Sequence, residues 1–154
     1  MRLKGIEYLN FMADMYEVDN ATRQQRIQEL SETFEMQNAL NDKILSYSHG
    51  MRQKIVIMGV LISDPNVWIL DEPMTGLDPQ SSYSLKQRMK DHAAKGNTVF
   101  FSTHVLEVAE KLCDKVAIIN KGSILFFGTL EELKAQHPSC DSLEAVFMEV
   151  ISHA

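Results

Sequence analysis

The sequence predicts an α/β fold, a mostly parallel sheet layered with helices and preceded by a helical region. Three observations carry that expectation. Short apolar runs at 67–70, 98–101 and 116–119 alternate with helical stretches over the later part of the chain, the pattern that builds parallel sheets. The first forty residues instead place their apolar side chains at helical spacing. Finally, Val67-Trp68-Ile69-Leu70 runs straight into Asp71-Glu72-Pro73, which sets two acids at the carboxyl edge of a buried strand.

Each element follows from local pattern. Ile6, Leu9, Phe11, Met12 and Met15 mark a first helix; Ile27, Leu30, Phe34 and Leu40 mark a second. Asp19 or Asn20 is placed to cap the second, with Arg23 and Arg26 on its polar side. A third helix starts near Ser48, runs through Met51, Ile55, Met58 and Ile62, and stops before Asp64-Pro65, because the residue preceding proline disfavours the helical region. The strand at 67–70 reads as buried. A helix over about 81–94 is ended by Lys95-Gly96-Asn97, and a strand at 98–101 follows. After a helix at about 105–112 and a strand at 116–119, Asn120-Lys121-Gly122-Ser123 is a hairpin turn into an antiparallel strand at 124–127. Two last helices are expected at 130–134 and 143–151. The expected division is a helical subdomain over 1–62 and an α/β part over 63–154.

Composition narrows the function. With 45% apolar and 23% charged residues in 154, the chain reads as an ordinary globular domain. A net charge of −6 disfavours nucleic acid as a partner. The longest apolar run, 55–62, is far too short to cross a bilayer, and Met1-Arg2-Leu3-Lys4-Gly5 lacks the apolar stretch of a secretory signal. Cys113 and Cys140 stand isolated and read as free thiols of a reducing compartment. A soluble cytosolic protein is expected.

The chemistry concentrates after the first strand. Adjacent strand residues face opposite sides, so Asp71 and Glu72 should do different work. One carboxylate can hold Mg²⁺; the other can polarise a water for attack on phosphorus. An acidic pair after a strand is by itself as often a simple turn. Here Met74-Thr75-Gly76-Leu77-Asp78-Pro79 follows directly, and Ser102-Thr103-His104 ends the next strand, which places His104 at the same sheet edge as the two acids.

These residues resemble the ATP-binding cassette (ABC) ATPase family. Trp68-Ile69-Leu70-Asp71-Glu72-Pro73 looks like its Walker B strand with the adjoining catalytic glutamate, Gly76-Leu77-Asp78 like its D-loop, and Ser102-Thr103-His104 like its switch or H-loop. Two registers compete for the signature motif. Leu45-Ser46 would put Tyr47 and Ser48 at both glycine positions; Tyr47-Ser48-His49-Gly50-Met51, followed by Arg52-Gln53-Lys54, keeps the serine, the second glycine and the Gln-Lys pair. The second register is the better one, with His49 replacing the first glycine and Met51 the glutamine. The likeness runs from about Ile6 to the C-terminus, and the ending Asp141-Ser142-Leu143-Glu144-Ala145-Val146-Phe147 resembles that of cassettes serving exporters.

The resemblance implies a partial P-loop NTPase (RecA-like) core, with ATP and Mg²⁺ as cofactors. It implies Asp71 as the metal ligand, Glu72 and His104 as catalytic residues, and Ser48, His49, Gly50, Met51 and Asp78 as nucleotide-facing residues. The implied partners are transmembrane transporter subunits and a second cassette, at the cytoplasmic face of the membrane. No stretch matches G-x-x-x-x-G-K-[ST]: none of the seven glycines precedes a Lys-Ser or Lys-Thr pair. The expectation is therefore the C-terminal part of a cassette, without its phosphate loop. A non-catalytic binding module and a cassette ATPase outside transport are the alternatives.

Overall fold

The first helices form where the apolar stripes are continuous and caps are available. A computed structural model describes residues 2–140 and 142–152. Helix α1 (Gly5–Met15) is opened by Lys4, whose backbone N–H is taken by the Glu7 carboxylate at 2.8 Å. Helix α2 (Asn20–Thr33) is capped by Asp19, whose Oδ1 accepts from the amides of Ala21 and Thr22 at 3.0 Å each. Of the two candidate caps, Asp19 is the one used. Helix α3 (His49–Ser63) is capped by Ser48 and ends at Asp64 in the left-handed region, φ +46°. Leu9, Ala13, Phe34, Met36, Ile55, Met58 and Ile62 form its tightly closed core with α1 and α2, each at most 1% exposed.

The second helix is shorter than its periodicity suggests. After Phe34 the chain turns at Glu35, φ +55°, and runs without helix to a short 3-10 turn at Ile44–Ser46. Phe34, Met36 and Leu40 are nonetheless buried, so the apolar spacing belongs to a packed loop. Arg23 and Arg26 are also more than a solvated face. Arg23 pairs with Asp14, and Arg26 donates to the Ile62 carbonyl at 2.7 Å, tying α2 to the end of α3.

Strand β1 (Val67–Leu70) pairs in parallel with β2 (Thr98–Phe101), connected through α4 (Pro79–Ala94). Trp68 stacks on His92 of α4, ring centroids 4.0 Å apart, and Arg88 of α4 reaches Glu29 and Thr33 of α2. These contacts seat the strands on one side. The reading of β1 as a fully buried strand holds for one face only: Trp68 and Leu70 are buried, whereas Val67 and Ile69 are 52% and 73% exposed, and Phe100 beside them is 60% exposed. Among the described residues the parallel sheet has these two strands.

The molecule divides into two compact units, 1–102 and 103–154. The second contains α5 (Leu106–Leu112), the antiparallel hairpin β3 (Lys115–Asn120) and β4 (Ser123–Thr129), α6 (Leu130–Gln136) and α7 (Leu143–Ser152). Lys121 and Gly122 both have positive φ, +48° and +80°, the geometry of a tight hairpin turn matched to strand twist. Ala109, Ile118, Leu133, Leu143 and Val146 form the core of this unit. Asp141, the first residue of the exporter-like ending, lies outside the described residues.

Candidate functional site

The two acids expected at the strand edge are held by one hydroxyl. Ser102, immediately after β2, donates from Oγ to Asp71 Oδ1 at 2.5 Å and accepts the backbone N–H of Glu72 at 2.9 Å. The parallel register that sets Leu70 beside Phe101 brings these residues together. Glu72 adopts the left-handed region, φ +43°, an uncommon conformation for glutamate. Its carbonyl accepts from the Thr75 amide at 3.0 Å, so the chain turns back at once into the 74–78 loop. In the sequence Ser102 stands out only as part of Ser102-Thr103-His104. Its bridging role depends on strand register and has no local signal.

The start of α3 and the 74–78 loop meet in the same unit. Ser48 Oγ accepts the Met51 amide at 3.2 Å, leaving Ser48 and His49 exposed at the helix start. The unpaired amides of such a start, with the helix dipole, favour an anion. Gly50 abuts the loop so closely that a Cβ there would lie 2.7 Å from the Gly76 carbonyl oxygen. Gly76 has φ +78°, and a Cβ on it would lie 2.6 Å from the His49 ring. Met51 is half-buried. Tyr47 belongs to the core: it is 2% exposed, and its hydroxyl donates to the Ala39 carbonyl at 2.6 Å.

Asp78 carries several bonds at once. It caps α4 by accepting from the Ser81 amide at 2.9 Å and the Ser81 hydroxyl at 2.8 Å, and it pairs with Lys54 Nζ at 2.7 Å. The Lys54 hydrogen bond, followed by those from Ser81, holds this carboxyl well below the usual carboxylate range. It stays ionised through neutral and mildly acidic pH. In the sequence Lys54 stands out only as part of a Gln-Lys pair, and nothing local marks its partner on another element.

His104 is the second residue of the second unit and is exposed; next to it the Val105 amide donates to Thr103 Oγ1 at 3.0 Å. Among the described residues no group of three or more metal-type side chains converges. The exposed Asp71 carboxylate suits magnesium all the same, since Mg²⁺ takes one or two carboxylates and keeps several waters.

The fold is that of the α/β core of ABC ATP-binding proteins. A solved structure described as the ATP-binding subunit of an ABC transporter matches 97% of this chain and 62% of its own, at 31% identity and a TM-score of 0.92. The family described as "ABC transporter" matches residues 5–75. The ABC transporter ATP-binding protein NatA of Bacillus subtilis (strain 168) is 35% identical over 96% of this chain and 59% of its own length. The Nod factor export ATP-binding protein I of Cupriavidus pinatubonensis is 33% identical over 90% and 43% respectively. The chain belongs to the ABC transporter ATP-binding family. It spans 40%, 59% and 59% of the length of three of the curated relatives it matches.

Proposed function

We propose that this chain is part of the ATP-hydrolysing subunit of an ABC transporter of the exporter type, which drives transport through separate membrane subunits from the cytoplasmic face. The observation that carries the reading is the Ser102 bridge, which fixes Asp71 and the Glu72 backbone at the carboxyl edge of β1 and β2. There Asp71 would hold Mg²⁺, and Glu72 would orient the attacking water and receive its proton. His104 would hydrogen-bond the terminal phosphate. The Ser48–His49–Gly50–Met51 end of α3 would close over a nucleotide held by a second cassette, with Asp78 tying the loop to that closure. ATP with Mg²⁺ supplies the phosphoryl group. The exporter assignment draws on the relative named for Nod factor export. In the described residues no helix is long and apolar enough to cross a membrane, so the membrane-spanning work falls to other segments or chains.

The test is ATP turnover by the complex purified through this chain. Glu72→Gln should retain ATP and lower phosphate release by about 10²-fold or more. Turnover equal to wild type removes Glu72 from catalysis.

A second reading is a non-catalytic binding module that docks on transporter subunits. Under that reading the complex shows no hydrolysis that depends on Glu72, and the endogenous polypeptide has a mass of 17.5 kDa. A heavier polypeptide carrying a phosphate loop supports the first.

A further inference from the structure

The helix start at 48–51 and the loop at 74–78 are separated in sequence yet interlocked at three points. Gly50 meets the Gly76 carbonyl backbone to backbone, and the His49 ring covers Gly76. One turn along α3 from Gly50, Lys54 is 8% exposed and directs Nζ to Asp78 Oδ2 at 2.7 Å. Lysine is rarely buried without a partner. The capping of α4 does not require this one, because Asp78 already accepts from the Ser81 amide and hydroxyl. Packing does not require its charge either, since an apolar side chain of similar length would fill the same volume without desolvating an ammonium. What the charge adds is a directional tie from the signature helix to the first residue before α4.

We infer that Lys54 is a positioning residue: by gripping Asp78 it makes α3 and the 74–78 loop move as one body. An event at the Ser48 end of α3 is thereby delivered to the loop that begins at Glu72. The mechanical half of this inference stands on the geometry alone; the functional half rests on the proposed ATPase reading. Asp78 then acts through a residue of its own chain.

Amide hydrogen exchange on the full chain tests the mechanical half. Lys54→Met and Asp78→Asn should each speed exchange of the 74–78 amides about tenfold, with α1 and α2 unchanged, and Lys54→Arg should stay within about twofold of wild type. Asparagine caps a helix as well as aspartate does, so Asp78→Asn removes the ion pair and keeps the cap. Wild-type exchange at 74–78 in both variants overturns the inference. So does an equal rise in every segment in both, which would make the pair a general stability element. In the purified transporter complex, Lys54→Met should lower kcat about tenfold with KM for ATP unchanged, and Lys54→Arg should restore it. An unchanged kcat alongside loosened 74–78 amides overturns the functional half. A wild-type complex without ATPase activity counts against the proposed function and leaves the exchange result to judge the interlock.

Discussion

The helices α1, α2 and α3 close a core among themselves, whereas the β1–β2 pair of the same unit closes on one side only. In the helical region Leu9, Phe34, Met58 and Ile62 are completely buried. In the strands, Trp68 and Leu70 are covered, while Val67, Ile69 and Phe100 face outward with more than half of their surface exposed. Three amphipathic helices can each turn an apolar stripe to a common centre. A sheet has two faces, and α4, through His92 on Trp68, serves one of them here. An unbroken apolar run is the pattern of a strand covered on both faces. The sequence of β1 therefore asks for cover on a face that stays exposed among the described residues.

The comparison is broken most directly in the helical core. Phe34→Ala should cost about 3–5 kcal/mol, because a fully buried phenyl ring leaves a cavity that three packed helices fill only in part. Denaturant unfolding measures it. A loss under about 1 kcal/mol would show that this core is as open as the outer face of the strands. The next effect concerns the loop where the two regions meet. Gly76→Ala should cost roughly 1–3 kcal/mol, since Gly76 has φ +78° and the new methyl would drive into the His49 ring. Gly96→Ala is the control: it has φ +84° but nothing within 4 Å of the added carbon. It isolates the backbone strain, and a Gly76 cost no larger than the Gly96 cost would mean the ring simply moves aside.

The fold was legible where periodicity and punctuation agree. Ser48 before the apolar stripe and Asp64-Pro65 after it frame α3, and β1 and β2 occupy the residues their apolar runs mark. Legibility ended where burial and helicity part company. Phe34, Met36 and Leu40 keep apolar spacing in a stretch that turns at Glu35, because a packed loop needs apolar contacts as much as a helix does. In the site, Asp71 and Glu72 were visible as acids ending a strand. Their shared partner Ser102 was not, since it comes from a second strand 31 residues from Asp71. Lys54 was hidden for a similar reason. A lysine on a mostly apolar helix reads as a solvated charge until the fold brings Asp78 to it. Pairings made by tertiary register leave no mark on the local pattern.

The smallest effect, that of Ile69→Ala, bears hardest on the comparison, because it is read against a neighbour on the same strand. Leu70→Ala should cost about 2–5 kcal/mol, as Leu70 is 8% exposed. Ile69→Ala, one residue earlier and 73% exposed, should fall within about 0.5 kcal/mol of wild type. The two differ in which face of β1 they leave, so their difference measures how one-sided the strand is in solution. Equal costs would mean that something covers Ile69 as well as α4 covers Trp68. Repeating the pair across a range of protein concentration then separates the causes. A cost at Ile69 that grows with concentration belongs to association between chains. A cost independent of concentration would place the cover within the chain itself and remove the asymmetry between its helices and its strands.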